Sequence, residues 1–117
     1  MSSTEYLFVV SMDVDPDKED LFNEVYDHEH VPNLLKVPGV VSVTRLTSTP
    51  FSVRIGGERK QVDSEGEPRY HAIYAIENPE VLVSDAWSEA VEKGRWPEEV
   101  RPYTSNRRHS LQKVRTP

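Results

Sequence analysis

The sequence lacks cysteine, long apolar runs and an excess of positive charge. Without cysteine, a disulfide-based scaffold and a cysteine-ligated zinc module are excluded. The longest apolar runs, 7–10 and 81–83, are far too short to form a membrane-spanning helix, and we expect no membrane contact. The net charge of −6 disfavours nucleic acid as a partner. Nothing near residue 1 resembles a signal peptide, so we expect a cytoplasmic protein.

Apolar residues are also few. They make up 36% of the 117 residues, whereas about 45–50% is typical of soluble domains. The length allows one domain, residues 1–117, but its core must be thin. Because small cores are often stabilised by association with another subunit, we expect a second subunit to complete this one.

The charges are unevenly distributed along the chain. Residues 13–29 contain eight carboxylates, whereas residues 101–117 contain five basic side chains and no acid. We interpret these segments as two solvated faces. The alternative is that they meet within one subunit or between two.

Apolar alternation and turn residues predict the element order β-α-β-β-α-β. The predicted strands are 5–13, 40–48, 69–77 and 107–114. Residues 50–68 form a long loop or hairpin insertion with a turn at Gly56-Gly57. This order is that of the ferredoxin-like α+β fold, a four-stranded antiparallel sheet with two helices on one face.

Proline residues mark where the two predicted helices begin and break. The first helix is predicted over 16–30 after Asp15, with a break or kink at Pro32, and a short continuation through Leu34 and Leu35 is the alternative to an end there. The second begins after Asn78 and ends by Gly94, and a loop over 95–106 leads to the last strand.

The first helix ends in a motif that resembles a known family. Its residues are Tyr26-Asp27-His28-Glu29-His30-Val31-Pro32, followed by Val37-Pro38-Gly39-Val40. This stretch resembles the Tyr-Asp-x-Glu-His-[Ile/Val]-Pro…Val-Pro-Gly pattern of dimeric α/β-barrel proteins, which are related to the EthD-like and stress-responsive barrel groups. The 50–68 insertion departs from that family.

The resemblance implies a homodimer whose sheets pack into a barrel, with a pocket between sheet and helices in each subunit. Members of the family include cofactor-free cyclases, isomerases, dehydratases and decarboxylases. They also include cofactor-independent monooxygenases and haem-handling enzymes, so the fold does not determine the reaction.

On a regular helix, Glu29 lies in the middle of the apolar face. A carboxylate in an apolar pocket has a raised pKa, which suits general acid–base catalysis. His30 lies one turn from Tyr26, whose phenol is a candidate hydrogen-bond donor. The alternatives are that Glu29 is solvated or a cap, and that His30 bonds a carbonyl in the Pro32 turn. His28 is expected at the surface.

The third core strand has two candidate pocket faces. If the His71 face meets the helices, His71 is a second pocket histidine; otherwise Tyr70 and Tyr74 face the pocket. The same ambiguity applies to His109, on the last strand. We expect substrate contacts from aromatic residues, and Trp87 to be core. The candidate substrate contacts are Phe8, Phe22, Tyr74 and Trp96.

We expect a cofactor-free enzyme of lyase or isomerase type (cyclase, dehydratase or decarboxylase). Its substrate is an apolar oxygenated small molecule, aromatic ones included, and Glu29, His30, Tyr26 and His71 are the catalytic candidates. One alternative is a non-catalytic small-molecule-binding or stress-associated dimer. Another is a cofactor-independent monooxygenase, or a haem protein with His71 or His109 as axial ligand. We expect no metal, although Glu29, His30 and His71 are a geometrically possible metal set.

Overall fold

The computed structural model describes residues 6–115 and has the ferredoxin-like α+β fold expected from the sequence. Four antiparallel strands form the main sheet in the order β2-β5-β1-β6. These strands are β1 (Tyr6–Val14), β2 (Val40–Thr47), β5 (Tyr70–Ile76) and β6 (Thr104–Lys113). The helices are α1 (Glu19–Val25), α2 (Val31–Leu35) and α3 (Asp85–Val91).

The two central strands, β1 and β5, are rich in aromatic and β-branched residues, as strands covered by a core require. Their register pairs Phe8 with Tyr74 and Val10 with Ala72. The face that carries Tyr70, Ala72 and Tyr74 is buried in the core cluster with the helical residues. This resolves the choice between the two faces of β5 in favour of the tyrosines.

The first helical segment is less regular than predicted, and it includes the continuation to Leu35 that the sequence left open. A 3-10 turn over Pro16–Lys18 leads into α1, a π-helical turn spans Tyr26–His30, and α2 continues to Leu35. In the π-helical turn the amide of Val31 donates to the carbonyl of Tyr26. Pro32 has no amide hydrogen for the next helical bond. The irregularity therefore lies directly before Pro32, and the helix does not break there.

Residues 50–68 contain the hairpin that the glycines predict. Strands β3 (Phe51–Ile55) and β4 (Glu58–Val62) pair antiparallel across the Gly56-Gly57 turn. Both glycines have positive φ, which such a turn requires. Almost the whole hairpin is exposed, including Phe51 and Ile55, so it adds little to the core.

The second helical segment consists of two short helices, each with its own N-terminal cap. The side chain of Asn78 accepts a hydrogen bond from the amide of Glu80 and starts a 3-10 turn, as the sequence predicts. Ser84 then caps α3 through the amide of Trp87. Within residues 6–115, no helix has the length and apolar character needed to cross a membrane.

The predicted loop over 95–106 is largely helical, which corrects the sequence reading. A π-helical turn spans Trp96–Val100, a 3-10 turn follows over Arg101–Tyr103, and β6 already begins at Thr104. Trp96 and Val100 are fully buried and hold this segment against α1 and the π-helical turn after it. The segment thereby becomes one wall of the site described next.

Candidate functional site

A cavity of about 240 Å³ lies between the helices and the sheet, beside β6. Thirteen residues line it: five are aromatic, four are aliphatic or methionine, and four carry basic side chains. The aromatic residues are Phe8, Tyr26, Tyr74, Trp87 and Trp96. The basic residues are His30, Arg101, Arg107 and His109. Five predicted site residues meet here: His30, Tyr26, Tyr74, Trp96 and Phe8.

The π-helical turn places His30 in the cavity. A π-helical turn accommodates one residue more than an α-helical turn, and one residue corresponds to about 100° of rotation. His30 therefore takes the angular position that a regular helix gives to Glu29. Its ring stacks on Trp96 at 4.4 Å between centroids and meets the Tyr26 ring edge-on at 5.0 Å.

The imidazole of His30 is buried, and among the described residues no hydrogen bond to its Nδ1 offsets that burial. Only 5% of the residue is exposed, and its Nδ1 has no hydrogen-bond partner in the described part of the chain. Burial is the main reason that its pKa is lowered from 6.5 to about 4, and the positive charges of Arg101 and Arg107 lower it further. His30 is therefore neutral at pH 7 and able to accept a proton.

Tyr26 and Tyr74 form a buried hydroxyl pair on the cavity wall. Their oxygens are 2.7 Å apart, and burial raises the pKa of both phenols. Both hydroxyls are therefore protonated at neutral pH. Two hydroxyls hold two protons and their mutual bond uses one, so one O–H remains to donate to a ligand oxygen.

Arg101, Arg107 and His109 form the basic side of the cavity. Arg101 is neutralised by a two-pronged ion pair with Glu92, at 2.7 and 2.9 Å. Arg107 and His109 project from β6 and are exposed at the cavity's open edge. His109 stacks on Phe8 at 5.9 Å, which fixes its position on the wall.

Glu29 does not face the cavity, which corrects the expectation of an acid in an apolar pocket. Its carboxylate accepts hydrogen bonds from the backbone amide of Arg95 at 2.9 Å and from its Nε at 2.7 Å. These bonds lower the pKa of Glu29, the backbone bond most of all, where we expected a raised pKa. Glu29 thus braces the turn before Trp96.

The close approach of Glu29 depends on Gly94. This glycine has φ +69°, and a Cβ atom built there would lie 2.5 Å from Glu29 Oε1. A larger residue would therefore suffer backbone strain and displace the carboxylate. Gly94 ends the second helical segment, as predicted, and also makes room for the brace.

His71 lies on the opposite face of the sheet from the cavity. Its Nδ1 is 2.7 Å from Ser11 Oγ and its Nε2 is 2.6 Å from Ser48 Oγ, while Ser48 donates to the Pro68 carbonyl. Both ring nitrogens are therefore engaged. His71 joins the ends of the 50–68 insertion to the sheet, so the expectation of a second cavity histidine is wrong.

Phe22 and Tyr70 lie in the core beside the cavity rather than on its wall. Phe22 has no exposed surface and packs on Tyr70 at 4.9 Å. The suggested metal set of Glu29, His30 and His71 is not assembled, since these side chains point to three different places. Within residues 6–115, no group of three or more histidine or carboxylate side chains is arranged to hold a metal ion.

The sequence reading missed Arg107, Arg101 and Trp87 as cavity residues. Arg107 is two residues before His109 on β6, and alternation along a strand places such residues on the same face. Once His109 is known to face the cavity, Arg107 is therefore expected there as well. Trp87 was expected in the core, but it also lines the cavity. Nothing in the sequence marks Arg101 as a cavity residue, because the sequence predicts a loop over 95–106.

Comparison with known proteins identifies the fold. No protein-family model and no curated protein matches the sequence. Solved structures match it over nearly its whole length. They include an EthD family protein from Bacillus halodurans, which is 11% identical with a TM-score of 0.59 and covers 94% of this chain and 99% of its own.

Two further structural neighbours are a heme-degrading protein and a monooxygenase by name. The heme-degrader MhuD from Mycobacterium tuberculosis, with two hemes bound in its active site, is 14% identical with a TM-score of 0.60, covering 93% of this chain and 94% of its own. A proposed antibiotic biosynthesis monooxygenase from Nitrosomonas europaea is 14% identical with a TM-score of 0.53, covering 92% and 95%. At these identities the likeness shows the fold alone.

Haem does not fit this cavity. Its volume of about 240 Å³ is below the roughly 300–1,000 Å³ of pockets that hold drug-sized ligands, and a porphyrin is a large ligand. Of the two expected axial ligands, His71 lies on the other face of the sheet, whereas His109 lines the cavity.

Proposed function

We propose that the protein is a cofactor-independent monooxygenase that acts on a small aromatic substrate with an acidic C–H bond. The observation that carries the proposal is His30, a neutral imidazole on the cavity wall whose Nδ1 has no hydrogen-bond partner among residues 6–115. A substrate that becomes electron-rich when it loses a proton can itself reduce dioxygen. The monooxygenase among the structural neighbours supports this reading.

In the proposed reaction His30 takes a proton from the substrate carbon, and the spare hydroxyl of the Tyr26–Tyr74 pair donates to the adjacent carbonyl oxygen. The resulting enolate reduces dioxygen, and a C–O bond forms. Overall, a CH2 group becomes C=O. Both C–H bonds and the O–O bond break, one oxygen atom enters the product, the other leaves as water, and the substrate supplies all the electrons.

The stacking of His30 on Trp96 orients the base in this reaction. The brace from Glu29 to Arg95 fixes the residue that precedes Trp96, so we assign Glu29 a positioning role. An anionic substrate near Arg101 and Arg107 would raise the pKa of His30, because their charges help to lower it. Substrate binding would then strengthen the base.

Oxygen consumption tests the proposal. With a monocyclic aryl 1,3-diketone as the probe, we expect the wild type to consume dioxygen. His30→Phe keeps an aromatic ring beside Trp96 but cannot accept a proton, and should lose about 10²–10⁴-fold in rate. His28→Phe, at an exposed histidine two residues away, is the matched control and should keep the wild-type rate. Equal rates for both variants would contradict the role of His30.

The lyase or isomerase reading uses the same base without dioxygen. Substrate turnover at an equal rate under argon would support it, and would overturn the monooxygenase proposal.

We also propose that the protein is a homodimer that covers the sheet face opposite the helices. Leu7, Val9 and Ile73 point to that face and remain only half-buried in the single chain. Their burial by a second copy would supplement the thin core. Light scattering should give the mass of two chains, whereas a folded monomer at micromolar concentration would contradict this assembly.

A further inference from the structure

We propose that Arg107 and His109 form an anion subsite at the open edge of the cavity, and that the ligand is an aromatic carboxylate. The inference rests on the proposed function only in taking the cavity as the substrate site. The ring of the ligand would lie against the aromatic wall, with its carboxylate at the edge formed by β6.

The two side chains come from the same part of β6. His109 lies opposite Val10, whose side chain is in the core, and Arg107 lies where the pairing of β6 with β1 is irregular. Both side chains line the cavity. The stacking of His109 on Phe8 places one donor beside the aromatic wall, where a ligand ring would lie.

Arg107 has no protein partner among residues 6–115: its guanidinium takes part in none of the hydrogen bonds or ion pairs there. The next residue, Arg108, points to the other face and pairs with Glu67 at 3.0 Å. A guanidinium presents a planar fork that matches a carboxylate. The fork of Arg107 is thus free to bind a ligand.

The charge of the cavity also selects an anion. Among residues 6–115, no carboxylate lines it. Glu92 neutralises Arg101 from outside and leaves the charge of Arg107 uncompensated. The positive charge of Arg107 contributes to the lowered pKa of both His30 and His109, after burial in each case, so its field reaches the interior. A ligand carboxylate would be attracted by that field.

Equilibrium binding of a matched ligand pair tests the subsite. The probes are 2-naphthoate and its neutral analogue 2-naphthamide, measured by calorimetry without turnover. We expect the wild type to bind the carboxylate about 10- to 100-fold more tightly, the range of a hydrogen bond to a charged group. Arg107→Gln should abolish the preference, whereas the matched control Arg108→Gln should retain it.

The possible outcomes separate this inference from the proposed reaction. Equal binding of the two probes by the wild type, an unchanged preference in Arg107→Gln, or no binding of either probe would overturn the subsite. His30→Phe should lose turnover and still prefer the carboxylate. A clear preference in a protein that never consumes dioxygen would leave the subsite standing and overturn the monooxygenase proposal.

Discussion

At the scale of single residues, the site depends on a few contacts between distant parts of the chain. Glu29 binds the backbone and side chain of Arg95, 66 positions away. Tyr26 shares a hydrogen bond with Tyr74, from the helical layer to the sheet. Each contact couples the motif around residues 26–32 to another element that lines the cavity.

Replacing Gly94 with alanine should destabilise the protein by roughly 1–3 kcal/mol, since the backbone there has positive φ and the new Cβ would meet Glu29. Gly66 also has positive φ but open surroundings, so Gly66→Ala is the matched control and measures the backbone cost alone. Urea unfolding of both variants gives the comparison. Equal losses would show that the contact with Glu29 does not constrain this turn.

Removing one hydroxyl of the Tyr26–Tyr74 pair should be costly, because it leaves the other buried without a partner. We expect Tyr26→Phe and Tyr74→Phe each to lower the free energy of unfolding by about 1–2 kcal/mol. The double variant should lose less than the sum of the two, as unfolding of all four proteins in a double-mutant cycle would reveal. Strict additivity would mean that the two hydroxyls do not interact.

At the scale of elements, local patterns in the sequence predicted the strands and the hairpin. The alternation in β1 and β5, the cap at Asn78 and the turn at Gly56-Gly57 are all formed as expected. These features depend on neighbouring residues, whose effects a single sequence displays.

The π-helical turn could not be predicted in this way. It positions His30 against Trp96, which belongs to a segment far along the chain that was read as a loop. The angular positions on a regular helix consequently place Glu29 in the middle of the apolar face and His30 on its flank, whereas the structure has His30 in the cavity. Strand alternation alone also left both faces of β5 open, because the face covered by helices is decided by tertiary packing.

The β3–β4 hairpin should contribute little to the stability of the rest of the fold. Its strands are almost entirely exposed and pair only with each other in a separate two-stranded sheet. Replacement of residues 51–62 by a short Gly-Ser linker should change the free energy of unfolding by less than about 1 kcal/mol. A larger loss in thermal or urea unfolding would indicate that the hairpin packs against another part of the molecule or a second copy.

At the scale of the whole molecule, a thin core tolerates a buried imidazole only in its neutral form. The lowered pKa of His30 means that the unfolded chain binds its proton more readily than the folded protein. The contribution of His30 to stability is therefore complete above its ordinary pKa of 6.5, and is lost as the pH falls from 6.5 to about 4.

The free energy of unfolding that His30 contributes, and that is lost as the pH falls, should amount to roughly 3 kcal/mol, because one pKa unit corresponds to about 1.4 kcal/mol. Urea unfolding between pH 7 and pH 4 measures it. His30→Phe should remove this part of the pH dependence, while His28→Phe, at an exposed position, should retain it. The same steep loss in His30→Phe would assign the acid sensitivity to other groups.

The most direct test of the proposed reaction is the fate of isotopically labelled dioxygen in wild-type turnover of the aryl 1,3-diketone. If His30 generates an electron-rich substrate that itself reduces dioxygen, mass spectrometry should find one labelled oxygen atom in each product molecule when the reaction is stopped before the new carbonyl exchanges its oxygen with water, with the second atom in water. Product formed at an equal rate under argon would contradict the monooxygenase assignment.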